Sequence, residues 1–121
     1  MSPDSWSRWA GPALLAAYFG WRFFKFRAAA ARLPELLKRG AVVVDVRGPE
    51  EFACGAAPDS VNIPLPQLER RHRELAADKP VVVCCASGAR SALAAGALRR
   101  LGFKEVINVG PWTNAARALG R

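Results

Sequence analysis

The chain is poor in the groups that build metal and redox centres. It has one histidine, His72, and three cysteines, Cys54, Cys84 and Cys85, in 121 residues. His72 stands among Arg70, Arg71 and Arg73 with no cluster of further ligands, so no metal is expected. Three cysteines cannot supply a disulfide scaffold. Neither GxxxxGK[ST] nor GxGxxG occurs, which removes the common phosphate-cradling fingerprints. Repeats are absent, and alanine richness is the only compositional bias. The length excludes a two-domain enzyme, and the lack of several long apolar runs excludes a multi-span transporter. What remains is 51% apolar and 23% charged, enough for one packed core and too apolar for wholesale disorder.

Acidic residues are also scarce: 10 Asp+Glu against 18 Lys+Arg leave a net charge of +8. Its location matters more than its size. Residues 1–21 hold Asp4 and Arg8 and sum to zero, whereas residues 22–39 hold six basic residues against Glu35 and carry +5. The other 82 residues carry only +3. A nucleic-acid face needs basic residues spread over the folded domain, with aromatics interleaved, so no nucleic-acid partner is expected.

The basic cluster follows an apolar run. Trp9 to Trp21 is thirteen residues without charge, and extension to Phe26 gives 18 residues while admitting Arg22 and Lys25. Three readings are open. The run can be a short spanning anchor, with Trp and Tyr at the headgroup level and snorkelling basic residues. It can lie in the plane of the interface. It can pack as a helix on its own domain or a partner. Positive charge after the run favours the first, with a bacterial inner-membrane anchor and a domain facing the cytoplasm; without the anchor the protein is expected in the cytoplasm. The same charge order argues against a cleaved signal peptide. The expected division is an N-terminal apolar helix with its basic flank over 1–28, and a folded domain over 29–121.

Within that domain, residues 28–39 read as helix, with Pro34 starting a fresh turn and Gly40 as the stop. Ala41 to Val46 is a Val-rich run suited to a strand buried on both faces. Pro49 opens a short helix, Val61 to Ile63 is a short strand candidate, and Gln67 to Ala77 reads as a polar helix. Val81 to Cys84 is a second buried-strand pattern. A helix with Leu93, Ala94, Ala97, Leu98 and Leu101 on one face follows from Ala89. Val106 to Val109 is a further strand, and Pro111 opens a last helix to Leu119. Strands alternating with helices predict an α/β fold with a parallel sheet.

The chemistry is expected in Val81 to Ser91, where a buried strand, a cysteine, a Gly-containing loop and a helix start follow one another. Ligands of open α/β sheets bind at the carboxyl ends of strands. Backbone N–H groups converging at a helix start make an anion cradle, and a cysteine there is held as thiolate. Gly88 permits the turn, and Arg90 offers a cation to an anionic substrate. Cys85, at the strand's mouth, is the expected nucleophile. Cys84, still in the strand, is expected in the core, and Cys54 as a bystander. Adjacent cysteines bridge only with strained geometry, which disfavours a Cys84–Cys85 redox pair.

At this point the sequence resembles the single-domain rhodanese-like sulfurtransferases, over about residues 29 to 121. The landmarks run in order: Val43-Val44-Asp45-Val46-Arg47, Glu50-Glu51-Phe52, Asn62-Ile63-Pro64-Leu65, Cys85-Ala86-Ser87-Gly88-Ala89-Arg90-Ser91, Gly102-Phe103 and Val106-Ile107-Asn108-Val109-Gly110. The resemblance implies a parallel five-stranded sheet flanked by helices, here preceded by the N-terminal apolar helix. It implies transfer of sulfane sulfur from a donor such as thiosulfate or a persulfide to a thiol or cyanide. Cys85 would carry the sulfur with no cofactor, the loop N–H groups would stabilise it, and Arg90 would hold the donor's anionic end. Asp45 and Arg47 match the first-strand motif and are expected to organise loops near the site. Four residues separate Cys85 from Arg90. Related phosphatases have a longer loop, so sulfur is expected over phosphate. One stretch departs from the family: where Gly-His-Ile-Pro-Gly-Ala is common, this chain has Gly55-Ala56-Ala57-Pro58-Asp59-Ser60. The histidine is missing at position 56, which bears on substrate choice and efficiency; a persulfide carrier or interaction module with little turnover is the alternative reading.

Overall fold

The valine runs form the centre of the molecule. In the computed structural model, which describes residues 4–120, strands β1 (Val42–Asp45), β2 (Val61–Asn62), β3 (Val81–Cys85) and β4 (Val106–Pro111) build one parallel sheet in the order β2-β1-β3-β4. Every residue of β3 is buried, as a strand covered on both faces requires. The period of two then sorts its side chains. Val81, Val83 and Cys85 face one core with Val44, Leu68, Leu98 and Phe103. Val82 and Cys84 face the other with Val43, Val109, Leu33, Leu36 and Ala115.

Helices α1 (Asp4–Ala31), α2 (Leu33–Lys38), α3 (Pro49–Ala53), α4 (Leu68–Arg71), α5 (Ala89–Arg100) and α6 (Trp112–Ala118) complete the chain. Pro34 sits in the first turn of α2, where its missing N–H costs nothing. Gly40 ends that helix at φ +88°, a conformation a side chain disfavours. The polar helix expected from Gln67 to Ala77 is broken: α4 spans four residues between two 3-10 turns. Leu68 alone is buried there, too little apolar surface to hold a longer helix.

Two expectations about the N-terminal half are corrected. The resemblance implied five strands, and four are present among the described residues, each one marked by the residue pattern itself. The chain ahead of β1 is helical instead. Helix α1 lies along the outer edge strand β4 and against α6, where it covers an otherwise open sheet edge. The spanning anchor is also corrected. Among the described residues no helix is long and apolar enough to cross a membrane. Reaching bilayer length required Phe26, yet Phe26 and Ala30 are buried in the domain. Arg22 is likewise engaged, donating from Nη2 to the Ser87 carbonyl at 3.2 Å. The charge-free stretch that remains, Trp9 to Trp21, falls short of the roughly 20 residues needed. Of the three readings, packing on the chain's own domain describes the C-terminal part of α1. The preceding turns leave Trp6, Trp9, Leu14 and Leu15 exposed.

Candidate active site

The carboxyl ends of β1, β3 and β4 meet at one edge of the sheet. Cys84 and Cys85 close β3, and a register shift between Val83 and Cys84 pairs Cys84 with Gly110 rather than with the residue after Asn108. Such a bulge bends the strand and re-aims the side chains beside it. Cys85 points toward α5, and the chain turns through Ala86, Ser87 and Gly88 into that helix. Gly88 caps α5 at φ +105°, the left-handed geometry that lets the loop fold back over the sulfur.

The thiol is fully enclosed. Gly88 N–H donates to Cys85 Sγ at 2.9 Å and Ser91 N–H at 3.4 Å. The thiol lies 3.4 Å from Ser91 Oγ, which itself donates to Asn108 Oδ1 at 2.7 Å. Burial pushes the Cys85 thiol up. The Ser91 hydroxyl and the N–H groups of Ser91, Gly88 and Ser87 pull it down and win, so it ionises below the ordinary cysteine range. The two short-range backbone donors are the firm part of this balance. The single Ser91 hydroxyl proton is already given to Asn108 and must turn to reach a thiolate. The start of α5 adds its partial positive charge. Ala86, Ser87 and Ala89 are exposed on the outside of the loop.

Cys84 has the opposite environment. Burial and the charge of Asp45 push its thiol far up, against the opposing effect of Arg47, so it stays protonated in the core. Cys54 is exposed at the C-terminal cap of α3. Two adjacent thiols are thus separated by strand alternation into an inert one and an activated one.

Asp45 and Arg47 form a buried pair at the end of β1. Arg47 Nε reaches both carboxylate oxygens at 2.9 Å and Nη2 reaches Oδ2 at 2.7 Å. Arg47 Nη2 also donates to the Gly55 carbonyl at 2.6 Å, and its guanidinium lies 4.8 Å from the Trp112 ring centre. Asn62 Nδ2 donates to the carbonyls of Asp45 and Arg47 at 3.0 and 2.9 Å. The pair therefore ties β1 to β2, the Gly55 turn and α6. In that turn Asp59 stands at φ +59°, where the family's second glycine falls; a short acidic side chain tolerates this conformation.

The Arg90 guanidinium is engaged by a carboxylate. It makes a two-pronged pair with Glu51, Nη1 to Oε1 at 2.8 Å and Nη2 to Oε2 at 3.0 Å. The Glu51 carboxyl falls to about 2, through the Arg90 bond first and the Gly48 N–H second. Glu51 thus holds the arginine at the mouth of the loop and caps α3. Residue reading did not assign Glu51 to the site, nor Asn108. The signal for Asn108 was present: it is the one polar side chain within Val106 to Val109. Its Oδ1 accepts from Gly110 N–H at 2.9 Å, so it satisfies the bulge as well as orienting Ser91.

This balance of donors sets a pH dependence. A thiolate attacks an electrophile and a thiol does not, so the rate of Cys85 alkylation is expected to rise with pH through the thiol's pKa. That rise is expected below the ordinary cysteine range. Removing the hydroxyl with Ser91→Ala moves it to higher pH while leaving the Ser91 N–H in place. A stopped-flow pH profile of Cys85 alkylation reads the shift directly.

A parallel α/β domain with an activated cysteine in an anion loop, followed by an arginine, is the architecture of a sulfur- or phosphoryl-transfer domain. The "Rhodanese-like domain" family profile matches residues 29–110, and the chain belongs to that family. It is 44% identical over 71 residues to "Uncharacterized protein YqhL" of Bacillus subtilis, which covers 59% of this chain and 56% of that protein. It is 41% identical over 75 residues to "Putative sulfur carrier protein YrkF" of the same organism, with 59% and 40% covered. It is 42% identical over 74 residues to "Thiosulfate sulfurtransferase GlpE" of Pseudomonas syringae, with 61% and 70% covered. The chain thus spans about half the length of the two Bacillus proteins. Among solved structures, a rhodanese-related protein from Thermoplasma volcanium superposes with a TM-score of 0.63 at 36% identity, covering 75% of this chain and 89% of that one. Helix α1 before residue 29 lies outside the family match.

Proposed function

We propose that the protein is a sulfurtransferase that moves sulfane sulfur from an anionic donor such as thiosulfate to cyanide or a thiol, through a persulfide on Cys85. The observation that carries this is the Cys85 sulfur held under the N–H groups of Gly88 and Ser91, in a loop with four residues before Arg90. In the first half-reaction the Cys85 thiolate attacks the outer sulfur of thiosulfate. The donor's S–S bond breaks and sulfite leaves with the electron pair. The charge on the terminal sulfur of the persulfide then falls to the same loop donors. In the second half-reaction cyanide attacks that terminal sulfur, thiocyanate leaves, and the thiolate returns. A thiol acceptor leaves as its persulfide instead. Arg90 binds the donor's sulfonate by giving up part of its Glu51 pair, and Asp45 with Arg47 positions the surrounding loops.

The test is steady-state thiocyanate formation with thiosulfate and cyanide varied together. Parallel double-reciprocal lines are expected for a two-step cycle through a covalent intermediate. Intersecting lines, or turnover unaffected by loss of Cys85, would sink the proposal.

A second reading has its own support: the enclosed thiol, and the resemblance to a putative sulfur carrier. There the Cys85 persulfide forms but passes to a partner protein with little free turnover. A persulfide that forms quickly from thiosulfate and then resists cyanide would favour the carrier over the enzyme.

A further inference from the structure

Helix α1 adds to the cysteine loop a wall that the family match does not include. The Phe26 ring is wedged against the loop and the end of β4: a Cβ built on Gly88 would lie 2.8 Å from its Cζ, and one on Gly110 2.5 Å from its Cδ2. Arg22, one turn earlier, bonds the Ser87 carbonyl and stacks on the same ring at 5.3 Å. Beside Phe26, between α1, Ser87 and the start of α6, lies a cavity of about 640 Å³.

The lining of this cavity is specific in kind. Phe19, Phe23 and Phe26 recur at the spacing of one helix face and give an apolar wall. Arg22, Arg27 and Arg117 give three cations, and among the described residues no acidic side chain lines the space. A small inorganic dianion satisfies the arginines but leaves the rings facing water. A wholly apolar ligand leaves the arginines without a counter-charge. The lining fits a molecule with one anionic group and an aromatic or alkyl body.

We propose that this cavity is a substrate subsite, selecting an organic sulfur donor with an apolar body and one anionic head group, and that Phe19, Phe23, Arg22 and Phe26 of α1 determine that specificity. The inference rests on the sulfur-transfer reading of Cys85. An organic thiosulfonate has the required chemistry. The Cys85 thiolate attacks its terminal sulfur, the sulfur–sulfur bond breaks, and the sulfinate leaves with the electron pair and stays over the arginines. The charge balances, since a thiolate and a thiosulfonate become a persulfide anion and a sulfinate. With the thiol enclosed and Phe26 packed over Gly88 and Gly110 at the side of the cavity, the ring is the group that the incoming donor displaces.

The test compares two donors that share a head group, benzenethiosulfonate and methanethiosulfonate, on the full chain. The second-order rate of Cys85 persulfide formation is measured for each, and the ratio of the two rates is taken. The variant is Phe19→Ala/Phe23→Ala. Both rings are mostly exposed, at 60% and 63%, so their loss leaves the packed core in place. Using the ratio cancels the donors' intrinsic reactivities between wild type and variant. The ratio of benzene to methane donor is expected to fall about tenfold in the variant, the scale of a phenyl ring losing its apolar partner. An unchanged ratio overturns the subsite while leaving the sulfur-transfer reading standing. Failure of both donors in a wild-type protein that thiosulfate does sulfurate also overturns the subsite alone; failure of thiosulfate as well overturns the sulfur-transfer reading, and the subsite with it.

Discussion

A Cys85→Ser protein is expected to transfer sulfur from thiosulfate at least roughly a thousandfold more slowly than the parent, a loss typical of removing a covalent nucleophile. The serine hydroxyl fits the same space and can accept from Gly88 and Ser91 N–H. It is not ionised at neutral pH and cannot carry sulfane sulfur. Cys84→Ala is the informative partner. Its thiol is fully buried on the opposite face of β3 and is kept protonated by burial and by Asp45. Removing it opens a small core void and lowers stability, and Cys85 sulfuration by thiosulfate continues. Thiocyanate formation by the two variants therefore separates adjacent cysteines that composition alone treats alike. Equal losses in both would contradict the division of roles.

The second large effect is on stability. Asp45→Ala is expected to cost about 3–5 kcal/mol, the range seen when one partner of a buried ion pair is removed. Asp45 is fully buried and the Arg47 side chain is 5% exposed, so solvent cannot take over the lost charge. Arg47 would keep the Gly55 carbonyl and the Trp112 face, neither of which neutralises it. The double change Asp45→Ala/Arg47→Met removes the stranded charge and is expected to recover much of the loss. Urea denaturation of the three proteins measures both steps. A single variant as stable as the parent would mean that the pair is structurally dispensable.

The sheet was legible in the residues because each strand is a short apolar run between turn signals. Val42–Asp45, Val61–Asn62, Val81–Cys85 and Val106–Pro111 all lie where the pattern marks them, within a residue or two at their ends. The fifth strand came from the resemblance alone, and the alanine-rich segment that precedes β1 folds as helix. The cysteine loop was legible because strand, cysteine, glycine and helix start are contiguous. Contacts between distant segments were not. Arg90 and Glu51 lie 39 residues apart; the one reads as a cation for substrate and the other as part of a short helix, and nothing in the residues pairs them. Phe26 was the hardest: a phenylalanine after an apolar run looks the same whether it faces lipid or a protein core. Only the packing of α1 on β4 and the cysteine loop decides it. Asn108 and Ser91 show an intermediate case, two polar residues on buried faces whose mutual bond explains both.

The central claim is that Cys85 is a sulfur carrier held as thiolate by its loop. The most direct measurement is the mass of the intact protein after brief exposure to thiosulfate and removal of excess donor, followed by mapping of the peptide that contains residues 81–90. The account predicts a gain of one sulfur atom, located on Cys85, released by cyanide and absent from Cys85→Ser. No mass gain, or a sulfur found on Cys54 or Cys84 with Cys85 unmodified, would contradict it.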